Sequence, residues 1–193
     1  MPSLTELASY LESIAPAQIA ESWDNVGVLV RCAQEVTGVL CALDITPATV
    51  REARAVGCNA IVSHHPVIFR PLKELRQDDV PALLVREGVS AVCMHTNLDK
   101  AQGGVNDVLA QALGLASAAG DTVTLRDTEP FAGGIGRVGV LPETMEAAAF
   151  AQFVGKALAA PVKWADAHGP VRRVAVVSGS GGDFSAEAAA AGA

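Results

Sequence analysis

Residues 59–69 read NAIVSHHPVIF. An apolar run leads into two adjacent histidines, and a proline follows them. Ala60, Ile61 and Val62 predict a short strand buried on both faces, as in a parallel sheet. Ser63, His64, His65 and Pro66 then form the turn at its carboxyl end, which is where open α/β sheets bind ligands. The chain has four histidines in 193 residues, and two of them stand here side by side. At this point three readings are open: metal ligands, an acid–base pair, or a polar turn.

Upstream, residues 36–45 predict a strand that ends near Asp44. Thr46 and Pro47 open a helix as N-cap and first helical residue, and Gly57 stops it. Strand, helix, strand makes a βαβ unit with parallel strands. Asp44 then also lies at a carboxyl strand end, either behind a ligand or as a plain polar terminus. Downstream, Asp78 or Asp79 caps a helix that reaches Glu87, with Gly88 as its stop. Residues 89–94 are the next strand, and it delivers His95, Thr96, Asn97, Leu98 and Asp99. The second βαβ repeat thus brings His95 and Asp99 to the sheet end that already holds His64 and His65. Convergence of His64, His65 and Asp99 favours the metal reading over the other two.

Further out, Ser3 and Glu6 form a capping box for a helix with Leu4, Leu7, Leu11 and Ile14 on one face. Asp24 and Asn25 are a polar turn before an apolar strand at 26–30, and Trp23 is read as a packing residue rather than a ligand stack. Gly103 and Gly104 open a helix that Gly114 closes. Residues 121–130 read as a linker. A strand at 134–141, a helix at 142–158 and strands at 161–164 and 171–177 make a second segment. The glycine turn at 178–182 matches neither the P-loop nor the dinucleotide fingerprint. The expected architecture is therefore α/β, with two lobes, parallel-rich sheets and βαβ units. Lobe one spans 1–128 and lobe two spans 129–193, the latter incomplete because the chain stops about two turns into a helix.

Composition fits this. Half the residues are hydrophobic, 18% are charged and the net charge is −7. No basic run offers a nucleic-acid footprint. No apolar run approaches the roughly 20 residues that span a bilayer. The N-terminus shows no secretory signal, and Cys32, Cys41, Cys58 and Cys93 have no metal spacing and read as buried free thiols. A cytoplasmic location is expected.

Four motifs in order, SWDNVGVLV at 22–30, ALDITPATVREA at 42–53, NAIVSHHPVIF at 59–69 and HTNLDKAQGGVNDVLAQALGL at 95–115, resemble the Ngg-interacting-factor-like family. That family is often labelled GTP cyclohydrolase I type 2-like, and VRRVAVVSGSGG at 171–182 extends the resemblance over nearly the whole chain. The resemblance implies two α/β lobes per subunit, a toroidal homohexamer and a dinuclear centre of divalent ions. It places metal ligands at His64, His65 and Asp99. The family's further His and Glu stand in a C-terminal motif that this sequence lacks, and His168 is in no such context. Imidazole and carboxylate donors suit zinc, manganese, iron, cobalt or nickel alike. His95, Asn97 and Asp44 are expected behind the ligands, orienting them or a water, with a plain strand-end residue as the alternative for His95. Two functions follow: a metal-dependent hydrolase of a small, nucleotide-like substrate, or a non-catalytic hexameric metal-binding scaffold.

Overall fold

The structure, a computed structural model, describes residues 1–115, 128–165 and 169–193. It divides into two compact units, Met1–Ala101 and Gln102–Ala193.

In the first unit, α1 (Leu4–Ile14) starts at the expected capping box: Glu6 N donates to Ser3 Oγ at 3.1 Å, and Ser3 N donates to the Glu6 carboxylate at 2.7 Å. Strands β1 (Gly27–Val30) and β2 (Val39–Ala42) follow. Helix α2 (Pro47–Ala55) is capped by Thr46, with Pro47 in its first turn. Then come β3 (Ala60–Ser63), α3 (Val80–Glu87), β4 (Ser90–Cys93) and α4 (Thr96–Lys100). Gly88 ends α3 at φ +68°, a left-handed conformation that glycine takes without steric cost.

The sheet order is β1-β4-β3-β2. The two βαβ units make β2, β3 and β4 parallel, as expected, and β1 runs antiparallel beside β4. Central β3 and β4 are clad on both faces. On one side Ile61 and Ala91 pack with Val50, Ala53 and Leu84 from the two crossover helices. On the other, Ala60 and Val92 meet Leu4. This double cladding is why their sequences are apolar without alternation.

The second unit contains α5 (Val105–Ala112), β5 (Glu129–Phe131), β6 (Gly136–Met145), α6 (Ala147–Ala157), β7 (Val171–Val176) and α7 (Ser185–Ala190). Its sheet, ordered β5-β6-β7, is antiparallel throughout and not parallel-rich. Gly136 is required, since a Cβ there would lie 2.2 Å from the Phe131 ring. Ala110, Leu113 and Leu115 pack with Leu141, Val174 and Val176. That packing puts α5 in the second unit, so the division falls at 101/102 instead of 128/129.

Three local expectations change. Pro142 sits in β6, at a register irregularity between Val140 and Met145 where a missing N–H is tolerated, so the helix begins five residues later. Residues 161–164 form no strand. Cys41 is exposed on edge strand β2, while Cys93 is buried. Most of the expected linker, and His168, lie outside the described residues. Among the described residues no helix is long and apolar enough to cross a membrane.

Candidate metal centre

The sheet ladder continues past the strand ends and carries the site with it. His64 N donates to Ala42 O at 3.1 Å, His65 N to Leu43 O at 2.9 Å and Met94 N to Ser63 O at 2.9 Å. The Cys93 thiol donates to His64 O at 3.1 Å. Burial, with some help from the Asp24 charge, pushes that thiol up to about 12, so it stays protonated and is a structural donor rather than a thiolate ligand.

His64, His65 and His95 converge at the carboxyl ends of β3 and β4. One ring nitrogen from each lies within 4.8 Å of the others. Ring centroids are 5.1 Å apart for His64 and His65, and 5.2 Å for His64 and His95. Asp99 joins this face: its Oδ1 is 3.8 Å from His64 Nε2. His95 precedes α4 and Asp99 lies one turn on, so both project to one side. His95, expected behind the ligands or as a plain strand-end residue, is the third member of the cluster.

Each of the three rings has its Nδ1 against an oxygen that can only accept. His64 Nδ1 meets Met94 O at 3.0 Å, His65 Nδ1 meets Asp44 Oδ1 at 2.7 Å and His95 Nδ1 meets Asp24 Oδ1 at 2.9 Å. In the neutral imidazole this fixes the proton on Nδ1 and leaves the Nε2 lone pair available. Asp44 thus stands where expected, behind His65.

Asn97 does not turn toward the histidines. Its Nδ2 donates to Ala15 O at 2.7 Å and ties α4 to the end of α1, while its buried Oδ1 has no hydrogen-bond partner. It anchors the helix that carries Asp99.

The residue that sequence reasoning missed is Asp24. Besides His95, it accepts from Thr96 N at 3.0 Å and from the Thr96 hydroxyl. Burial alone would push its carboxyl up, but the bonds from Thr96, His95 and Asn25 outweigh that and hold it below the ordinary value of 3.8. Glu21 reinforces the clamp: its N donates to Thr96 Oγ1 at 2.9 Å and its carboxylate meets Lys100 Nζ at 2.7 Å. The polar turn before an apolar strand was visible in the sequence, but nothing in its spacing pointed to a histidine 71 residues away.

Trp23 proves exposed rather than packed. It stands edge-on to Phe69 with centroids 5.9 Å apart.

This donor set suits a divalent cation. Metal–nitrogen and metal–oxygen bonds of about 2.0–2.2 Å set two donors on one ion roughly 3–4 Å apart. His64 Nε2 and Asp99 Oδ1 already keep such a separation and are not hydrogen-bonded to each other.

The family model described as Duf34/NIF3 (NGG1p interacting factor 3) matches residues 2–193. A Clostridium perfringens protein named GTP cyclohydrolase 1 type 2 homolog is 31% identical over 197 residues, which cover 98% of this chain and 74% of that one. A Staphylococcus aureus protein of the same name is 43% identical over 116 residues, covering 58% of this chain and 32% of its own length. The crystal structure of a Staphylococcus aureus protein described as hypothetical superposes with a TM-score of 0.81 at 28% identity, covering 99% of this chain and 76% of that one.

Proposed function

Starting from the premise that the chain belongs to the Duf34/NIF3 family, we propose that it holds divalent metal in a dinuclear centre and hydrolyses a small, nucleotide-like substrate there. His64, His65, His95 and Asp99 would hold the metal. The observation that carries this is the uniform anchoring of the three rings at Nδ1 in a cluster where one ring nitrogen from each lies within 4.8 Å of the others. Ligating histidines are commonly oriented in this way by an oxygen behind them.

When bound, divalent metal supplies Lewis acidity and an activated water at neutral pH. The chain's residues do the positioning. Met94 O, Asp44 and Asp24 hold the rings in the coordinating tautomer. Asp99 adds the carboxylate that two neighbouring cations need for charge balance. Four side chains satisfy one ion together with waters, so a second ion would draw further donors from beyond this set. The cyclohydrolase name of the relatives supports a nucleotide-like substrate. Assembly into a homohexamer belongs to the same reading, and light scattering that shows a monomer at micromolar concentration would remove it.

The test is metal content by plasma mass spectrometry on protein purified without chelator. Metal is expected in the parent and at a few per cent of that level in His64→Ala and His95→Ala, with circular dichroism unchanged. A parent without metal after incubation with zinc, manganese or iron(II) would overturn the proposal. Bound metal with no turnover of phosphoesters or cyclic amides would leave the non-catalytic metal scaffold as the better reading.

A further inference from the structure

Aromatic residues are scarce in this chain, at 4%, yet two of them stand exposed at the histidine cluster. Trp23 is 57% exposed and Phe69 is 43% exposed. Their rings are inclined by 67°, so that together they form an open corner. Both stand edge-on to His95, at 6.3 Å and 72° for Trp23 and at 6.4 Å and 85° for Phe69. His95 is in turn within 5.7 Å of His65 and 5.2 Å of His64, centroid to centroid.

The corner is held from both sides. Asp24, next to Trp23, is fixed to His95 and Thr96. Asn25, one residue further, donates from Nδ2 to Ile68 O at 2.6 Å and so ties the turn to the residue before Phe69. Two consecutive polar residues thus pin the segment that carries one ring to the segment that carries the other. Exposed aromatics normally add little to folding, and a rigid pair loses little entropy when a ligand covers it.

We infer that Trp23 and Phe69 form a preorganised aromatic lip, which binds the planar heteroaromatic ring of the ligand, of the nucleobase class, and turns its substituents toward the imidazoles. A flat ring laid on the Trp23 face meets the Phe69 ring at an angle, an arrangement that aromatic quadrupoles favour. Stacking of this kind tolerates any base, because every base has a π-face. The inference deepens the function proposed above and rests on it for what happens at the imidazoles. The lip itself stands on aromatic geometry that needs no metal.

The test uses the full chain carrying Trp164→Phe, which leaves Trp23 as the sole tryptophan. Its fluorescence is titrated with guanosine, adenosine and cytidine, and with ribose 5-phosphate as a ring-free control, in metal-loaded and chelator-treated protein. Saturable quenching by the nucleosides and none by ribose 5-phosphate is expected. Phe69→Ala should weaken binding about ten-fold or more, with metal content and circular dichroism unchanged. No saturable quenching in either state overturns the lip, even if metal is present and the proposed function stands. Nucleoside binding by protein that holds no metal upholds the lip while the metal reading fails. If Phe69→Ala lowers the assembly size seen by light scattering and leaves quenching unchanged, the corner is a contact between chains and the inference is wrong.

Discussion

Each unit buries a carboxylate within a long-range polar network. In the first, Asp24 gathers His95, Thr96 N and the Thr96 hydroxyl. In the second, Asp107 accepts from Arg137 Nε and, at 2.6 Å, from Gly103 N, while Arg137 Nη1 donates to Gly134 O and Gly136 O. The bonds around Asp107 run to backbone atoms and a guanidinium, which has no lone pair to offer. The bonds around Asp24 run to an imidazole whose other nitrogen is free to act as a ligand. Two networks of similar burial therefore differ in how they end, and the ending separates a site from a brace.

The two can be broken independently, with Trp23 reporting on the first unit and Trp164 on the second. Asp107→Ala removes the carboxylate that faces a buried guanidinium and should cost about 3–5 kcal/mol in denaturant unfolding followed at Trp164. The apolar double replacement Asp107→Leu with Arg137→Met should recover most of that loss, as expected of a brace. Asp24→Ala leaves the His95, Thr96 N and Thr96 hydroxyl donors without their acceptor. It should cost about 2–3 kcal/mol in unfolding followed at Trp23, and should also remove metal.

Acid offers a gentler break. The Asp24 carboxyl is lowered in the fold, so its stabilisation is present above the ordinary value of 3.8 and is lost as pH falls below it toward the folded value. Acid unfolding followed at Trp23 should lose part of its pH dependence in Asp24→Asn, while the Trp164 signal keeps its own. The smallest stability effect belongs to Asp44→Asn. Both partners of the Asp44–His65 contact are exposed, so the change should stay under about 1 kcal/mol. Metal affinity should nevertheless fall by roughly 10–100-fold, because the acceptor behind His65 is weakened. Unchanged affinity would mean that Asp44 is an ordinary strand terminus.

What was legible in the sequence follows the same division. Ser3, Thr46, Pro47 and Gly88 announce helix ends by local chemistry, and the structure uses all four. His64 and His65 announce a strand end because an apolar run stops at them. The five-residue helix α4 leaves no mark in the sequence: it is too short for a periodic signal, and its cap, His95, makes no side-chain cap bond. The direction of β1 is set by pairing with β4 and leaves no mark in its own four residues. In the second unit Pro142 is chemically acceptable both as a helix start and at a strand irregularity, and only the pairing with β7 decides.

The strand order has a consequence measured in time. β3 and β4 are the two inner strands of the first sheet, bonded on both sides. Inner strands exchange their amide hydrogens last, because exposing them requires the whole cooperative unit to open. The histidines therefore hang on the slowest-opening part of the unit, and the Asp24 and Asn25 bonds tie the turn that carries Trp23 to the same end of the sheet. The cluster should keep its arrangement for as long as the unit stays folded.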